Sequence, residues 1–324
     1  MSRSFKEVIQ DAAIRRWFKD NYSFHSLTDS GSGITAGRLA EVTSNEIKVG
    51  TEQATAILGA TRGTITASAT DADVEFGAVP CYLASPVAKM DNIAPRAAGM
   101  VGKSLSTQVT LLAATAGGGF ANQPAGDTVE VLSSSAEDTT QTVTIYGTIT
   151  GKTTTITSET VSLAGTDVVA TTQDAWVTVL AVKLSASCAG TVTIQEGDDA
   201  DITTITTTVL SAGVATPSTT NAYGLIPRHD ASGASTKILG LVGTDVNGDA
   251  LTSVDALNGT TEEDHGTAIF ATITEVYLGD IAATTSDVSV LTNESTDSVN
   301  VGVALEASTV SGVSIDCYIK PYFY

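Results

Sequence analysis

One strand pattern is written twice in this chain, with an offset of 94–96 residues. "VTIYGTITGKTTTITSETVSLAGT" spans Val143 to Thr166, and "LGLVGTDVNGDALTSVDALNGT" spans Leu239 to Thr260. Each copy has an apolar run ending in Gly-Thr, a short turn, a polar strand-like run and a closing Leu-x-Gly-Thr. Gly147-Thr148 matches Gly243-Thr244, and Leu163, Gly165 and Thr166 match Leu257, Gly259 and Thr260. Further on, Trp176 falls on Phe270, Val179 on Ile273, Val182 on Val276 and Leu184 on Leu278. One bulky aromatic followed by apolar residues at mostly even spacing describes a strand with one buried face. The two copies predict tandem β-sandwich units. Such duplication adds length and surface area and does not by itself build a catalytic site.

Composition agrees with thin, sheet-built cores. Of 324 residues, 42% are hydrophobic but only 5% are aromatic, so the cores must be made of Val, Ile, Leu and Ala. β-Branched residues suit packed sheets better than a deep cleft. With only 16% charged residues, the surface must be covered largely by Thr, Ser, Asn and Gly. The net charge of −20 repels nucleic acid, and the 16 Lys and Arg are scattered apart from a small group in the first twenty residues, so no nucleic-acid partner is expected. Cys81, Cys188 and Cys317 are odd in number and far apart, which predicts buried thiols and neither a disulfide framework nor a metal site.

The opening stretch "MSRSFKEVIQDAAIRRWFKD" carries charges throughout and lacks the 7–15-residue apolar core of an export signal. No stretch reaches the ~20 apolar residues of a membrane helix, so no membrane partner is expected. Residues 4–20 instead predict an amphipathic helix. Ser4 and Glu7 have capping-box spacing, and Phe5, Val8, Ile9 and Ala12 form a stripe that Trp17 and Phe18 extend. These six residues are the candidate interface: the stripe packs on its own first domain or docks on a neighbouring subunit. After it, short alternating runs separated by Gly, Asn, Asp and Ser predict strand after strand. The expected fold is all-β, a multi-domain β-sandwich or β-barrel protein with an N-terminal amphipathic helix. The expected segments are the helix and arm at 1–28, a β-rich domain and linker at 29–125, one sandwich repeat at 126–215, and a second at 216–324 that carries the last strands.

Few residues offer chemistry. His25, His229 and His265 have no partner at metal-ligand spacing in sequence. His265 sits in "TEEDHGT" behind Glu262, Glu263 and Asp264, which predicts a solvated acidic loop. Asp245, Asn247 and Asp249 alternate like the start of a calcium loop, but the glycine falls too early and no closing glutamate follows. Asn247-Gly248 predicts a type I′ hairpin turn there. In "EGDDAD", Glu196, Asp198, Asp199 and Asp201 offer at most a weak surface calcium site. No nucleophile elbow, phosphate loop or C-x-x-C occurs. The two tryptophans, Trp17 and Trp176, are placed on the helix and in a core, and so do not form a sugar platform. No catalytic, cofactor-binding or metal residues are therefore assigned, and no enzymatic activity is expected.

Three stretches carry a resemblance. The hairpin from Val143 to Thr166 with the following "WVTVLAV" looks like a strand pattern of tailed-phage structural proteins. "GITAGRLAEV" followed by "TAILGA", and the closing "VGVALEASTVSGVSIDCYI", are similar to head-decoration (cement) proteins of tailed phages. The resemblance implies an all-β virion component, assembled in the host cytoplasm, with no catalytic residues. It further implies that the chain forms homo-oligomers, trimers foremost, and binds the major capsid protein on the outside of the head. A tail, collar or fibre component contacting the host surface is the alternative.

Overall fold

The computed structural model describes residues 33–319, 322 and 323, except 36–37, 44–45, 50–55, 62–63, 65–73, 76, 97–98, 106, 116–118, 174, 198–199, 232–236, 282–286 and 293–299. The expected helix at 4–20, with Phe5, Val8, Ile9, Ala12, Trp17 and Phe18, lies outside the described residues, as does His25. The described residues contain no α-helix, and therefore none long and apolar enough to cross a membrane. The described chain is all-β and has several sheets.

In chain order the strands begin with β1 (Leu39–Thr43), β2 (Glu46–Val49), β3 (Ala56–Thr61), β4 (Val74–Glu75), β5 (Gly77–Tyr82), β6 (Asn92–Pro95) and β7 (Val101–Lys103). Next come β8 (Thr110–Thr115), β9 (Val129–Ser133), β10 (Thr142–Ile149), β11 (Lys152–Ser162), β12 (Val169–Ala170), β13 (Trp176–Leu184), β14 (Val192–Glu196), β15 (Asp201–Ile205) and β16 (Ser211–Ala212). They are followed by β17 (Val214–Ala215), β18 (Asn221–Leu225), β19 (Arg228–Ala231), β20 (Ile238–Thr244), β21 (Ala250–Ala256), β22 (Glu263–Asp264), β23 (Phe270–Tyr277) and β24 (Asp287–Leu291). The last are β25 (Gly302–Ala304), β26 (Ser314–Ile319) and β27 (Tyr322–Phe323).

These strands fall into two compact units. One holds the described residues within Met1–Thr107, Val246–Gly248 and Ser295–Tyr324, and the other those within Gln108–Asp245 and Asp249–Glu294. In the first unit, one sheet has the order β2-β1-β3-β27 with β4 beside β3, and the other the order β5-β26-β25-β6-β7. Leu39 of the first sheet packs with Val79, Cys81, Ile93, Val101, Cys317 and Ile319 of the second. The strands nearest the C-terminus thus complete a sheet begun at Gly77, with β26 pairing antiparallel to β5 from Ser314 to Ile319. Sequence order had placed them in the 216–324 segment, because alternation marks a strand without naming its partner.

The second unit contains two modules of two sheets each. In the first module, β11-β10-β13-β16 and β12-β9-β14-β15 share one core. Val143, Ile145, Trp176 and Val179 from one sheet meet Val131, Val192, Ile194 and Ile202 from the other. In the second module, β17-β23-β20-β21, with β18 beside β23, faces β22-β19-β24-β8. Leu239, Leu241, Phe270 and Ile273 meet Leu111, Val288 and Val290 there. Burial in β9 alternates strictly, as a strand with one core face requires.

The written repeat is matched residue by residue. The ladder between β10 and β13 slips at Tyr146/Gly147, and that between β20 and β23 slips at Val242/Gly243. A side chain at Gly147 would lie 2.0 Å from the Thr178 carbonyl oxygen, and one at Gly243 would lie 1.9 Å from that of Thr272. Only glycine fits either bulge, which is why Gly-Thr recurs. Trp176 opens β13 and Phe270 opens β23, the strands across these bulges, and both are fully buried.

The two modules meet through a smaller cluster of Leu180, Ala181, Val254 and Tyr277, joined by Tyr146, Ile156 and Val242. At this contact Lys183 Nζ donates to both Glu275 oxygens, at 2.7 and 2.6 Å, and lies over the Tyr146 and Tyr277 rings. The Tyr277 hydroxyl donates to Glu275 Oε2 at 2.9 Å. Burial, reinforced by that carboxylate, raises the Tyr277 pKa and keeps the phenol neutral.

Candidate functional site

Strand pairing in the second module brings together two histidines that lie 36 residues apart in sequence. His229 sits on β19, whose ladder with β22 sets Arg228 against Asp264 and His229 against Glu263. His265 is the residue after β22, and its amide donates to the Pro227 carbonyl at 2.7 Å. Both imidazoles are fully buried. Their Nδ1 atoms face each other at 3.2 Å, and the rings cross edge to face at 80° with centroids 5.2 Å apart. Half-buried Asp255, on β21 of the facing sheet, closes the group. One nitrogen of each histidine and one Asp255 oxygen lie within 4.8 Å of one another.

The surroundings fix each member. His229 Nε2 lies 3.1 Å from the Ala256 carbonyl oxygen. A carbonyl only accepts, so Nε2 carries the proton and Nδ1 presents a lone pair toward His265. The Ala256 amide donates to Asp255 Oδ1 at 2.8 Å, and the Gly266 amide donates to Oδ2 at 2.6 Å. His265 Nε2 is buried and has no hydrogen-bond partner. Burial first, and then His229 beside it, lower the His265 pKa to about 4 against the opposing pull of Asp255 and the Ser253 backbone. His265 is therefore neutral near pH 7, with a nitrogen lone pair available.

This arrangement corrects the expectation that "TEEDHGT" is a solvated acidic loop. Its acids take partners from neighbouring side chains, while its histidine turns inward. Arg228 Nη1 pairs with Glu262 at 2.9 Å and its Nε approaches Asp264 at 3.4 Å; Asn258 Nδ2 donates to Glu263 at 3.3 Å. The expectation failed because spacing along the chain cannot see a β19–β22 ladder. The repeat could have exposed the site. By pairing register, His229 takes the place of Val131, Asp255 that of Val161 and His265 that of Thr171. The Thr171 amide donates to the Val129 carbonyl at 2.8 Å, in the way His265 donates to Pro227. A buried Val, Val, Thr corner in one module is His, Asp, His in the other.

The remaining sequence candidates lie apart from this group. Asp245 and Asp249 bond to each other across the β20–β21 turn, the Asp249 amide donating to Asp245 Oδ1 at 2.9 Å and the Asp245 amide to the Asp249 carbonyl at 2.8 Å. The turn is a hairpin, but not of type I′. Gly248 alone in it has a positive φ, of 89°, whereas type I′ needs Asn247 positive as well. Asp198 and Asp199 lie outside the described residues; the amide of Glu196 donates to the Ala200 carbonyl, and the Asp201 carbonyl accepts from Asn122. The three cysteines are free and buried, and the hydrogen bond of the Cys81 thiol to Cys317, together with burial, pushes the Cys81 pKa up.

No family model, curated protein or solved structure matches the chain.

Proposed function

We propose that this chain is a structural subunit of a tailed-phage particle that binds the outside of the head shell and clamps neighbouring capsomers. On this reading each two-sheet module is a β-sandwich, and residues 4–20 form an amphipathic helix whose stripe of Phe5, Val8, Ile9, Ala12, Trp17 and Phe18 docks on the shell or on a sister copy. Its partners are the major capsid protein and other copies of the chain, arranged as a trimer. Its binding to the shell needs no cofactor and turns over no substrate.

The observation that carries the reading is the duplication. The second module repeats the hairpin, the bulge in the ladder to the next long strand, the buried aromatic and the opposing sheet of the first. Repeating a scaffold multiplies surface and contacts. A clamp of this kind acts by mass action, because binding only the assembled lattice stabilises it. Many weak contacts repeated by symmetry then give firm attachment. A surface poor in charge and rich in Thr and Ser suits an exposed coat.

The test is localisation and dependence on the helix. Gradient-purified particles labelled with an antibody to this chain should carry label over the head. A chain lacking residues 1–20 should keep its strand content by circular dichroism yet fail to join particles. Label confined to the tail would replace the head reading with the tail reading. Full occupancy by the shortened chain would remove the docking role of the helix.

A further inference from the structure

The buried histidine pair has no part in that structural reading, and its geometry supports a separate inference. We propose that His229, Asp255 and His265 form a binding site for a divalent transition metal ion of the zinc class.

Four observations carry it. The first is a distance. A tetrahedral ion with metal–nitrogen bonds of about 2.05 Å sets two ligand nitrogens about 3.3 Å apart. The facing Nδ1 atoms stand 3.2 Å apart. The second is protonation. His229 Nε2 spends its proton on the Ala256 carbonyl, as the outer nitrogen of a metal-bound imidazole does. Its Nδ1 lone pair is left pointing at His265. The third is the missing partner. If His265 carries its proton on Nδ1, it bonds His229 and leaves Nε2 as a bare buried acceptor. If the proton is on Nε2, two lone pairs oppose each other and the N–H is orphaned. Nε2 has no hydrogen-bond partner in either case, and an ion held between the two Nδ1 atoms takes up the opposed lone pairs of the second arrangement.

The fourth observation is the internal control. In the first module the same three positions hold Val131, Val161 and Thr171, all buried and satisfied. The fold does not require polarity at this corner, since a sister copy closes without it. Two buried imidazoles and a carboxylate are costly to hold there unless something compensates their desolvation.

The donor set selects the ion. Two imidazole nitrogens and one carboxylate oxygen suit zinc, cobalt, nickel or copper, whereas calcium and magnesium prefer oxygen cages. Asp255 can ligate while its oxygens also accept backbone amides, because a carboxylate offers about four lone-pair directions. Three protein ligands leave a fourth position for water or for a side chain of a partner. A bound ion ties β19, β21 and the segment after β22, which belong to two different sheets. Its effect is to cross-link the module at one corner.

The experiment uses the full chain, purified without a polyhistidine tag, stripped with EDTA and dialysed. Zn²⁺ binding is measured by calorimetry and by competition with a chromogenic chelator. Co²⁺ is added separately and read by its visible d–d bands, which report nitrogen and oxygen ligands in a tetrahedral field. We expect stoichiometric Zn²⁺ uptake, a Co²⁺ spectrum of that type, and a melting temperature that rises with free Zn²⁺. Asp255→Asn should weaken Zn²⁺ binding roughly tenfold or more. The triple change His229→Val, Asp255→Val, His265→Thr copies the corner of the first module; it should fold by circular dichroism and lose both Zn²⁺ binding and the Co²⁺ bands. No uptake by the unaltered chain overturns the proposal, and the pair is then a proton-sharing hydrogen bond. Equal binding by the folded triple variant also overturns it, by placing the metal elsewhere. If the triple variant does not fold, Asp255→Asn decides: unchanged affinity overturns the site, and tenfold loss upholds it.

Discussion

The two modules of the second unit share a plan and differ at three places, and each difference separates what the fold demands from what it tolerates. The first is the corner just described, which closes equally well with Val131, Val161 and Thr171 or with His229, Asp255 and His265. The second is the source of the fourth strand. In the first module β15 follows β14 directly and pairs with it. In the second module the equivalent edge beside β24 is filled by β8, which precedes the whole first module in the chain. The third is the face one module turns to the other, where Lys183 and Tyr277 occupy equivalent register positions and meet around Glu275. The plan therefore fixes the bulge glycines and the buried aromatic. It leaves the corner chemistry, the origin of one edge and the outer face free to diverge.

The largest test of this comparison is to separate the modules. All the buried core residues of the first module lie between Phe120 and Ile205. A fragment of residues 119–213 should fold cooperatively alone. A fragment of residues 214–292 lacks β8 and with it Leu111 and Leu112, so it should show no cooperative urea transition. A folded 214–292 fragment would show that the borrowed strand is dispensable. Next in size, Trp176→Ala and Phe270→Ala should each destabilise their own module by about 3–5 kcal/mol in urea titrations, because each empties a fully buried position. A cost near zero for either would break the equivalence of the cores.

Smaller effects sharpen the differences. Lys183→Met keeps the apolar stem but leaves Glu275 without its cation, in a setting about a third exposed. A loss of about 1–2 kcal/mol is expected, shrinking when Glu275→Gln is added in a double-mutant cycle. The smallest test is of acid stability. Ser133 Oγ and the amides of Ala189 and Gly190 donate to Asp138, holding its carboxyl below the usual range. The folded state thus favours the ionised form. The stability this supplies is present above the ordinary carboxylate pKa of about 4 and is lost as pH falls through the lower folded value. Asp138→Asn should flatten that part of the pH–stability profile; an unchanged profile would remove the assigned role.

Most of the local plan could be read from the sequence. Alternation announced the strands, the doubled Gly-Thr announced a repeated hairpin though not its bulge, and the even spacing after Trp176 and Phe270 announced two cores. These signals are local because burial has a period of two along a single strand. Partners of distant strands could not be read. Nothing in "TLLAAT" names β24, and nothing in "SIDCYI" names β5, since any apolar edge offers the same backbone bonds. The histidine pair was hidden for that reason, as only the β19–β22 ladder joins its halves. The Asn247-Gly248 turn was read as a hairpin, but its type was missed because the connection is longer than two residues.

The placement of β8 has a consequence for synthesis. A ribosome delivers this strand more than 170 residues before β24 exists to receive it. At 5–20 residues per second the wait is roughly 10 to 30 seconds. Meanwhile the first module has all its strands and closes by itself. The nascent chain thus carries a finished module and one unmatched, almost uncharged strand with an open backbone edge, available to any chaperone or stray edge until its own partner emerges.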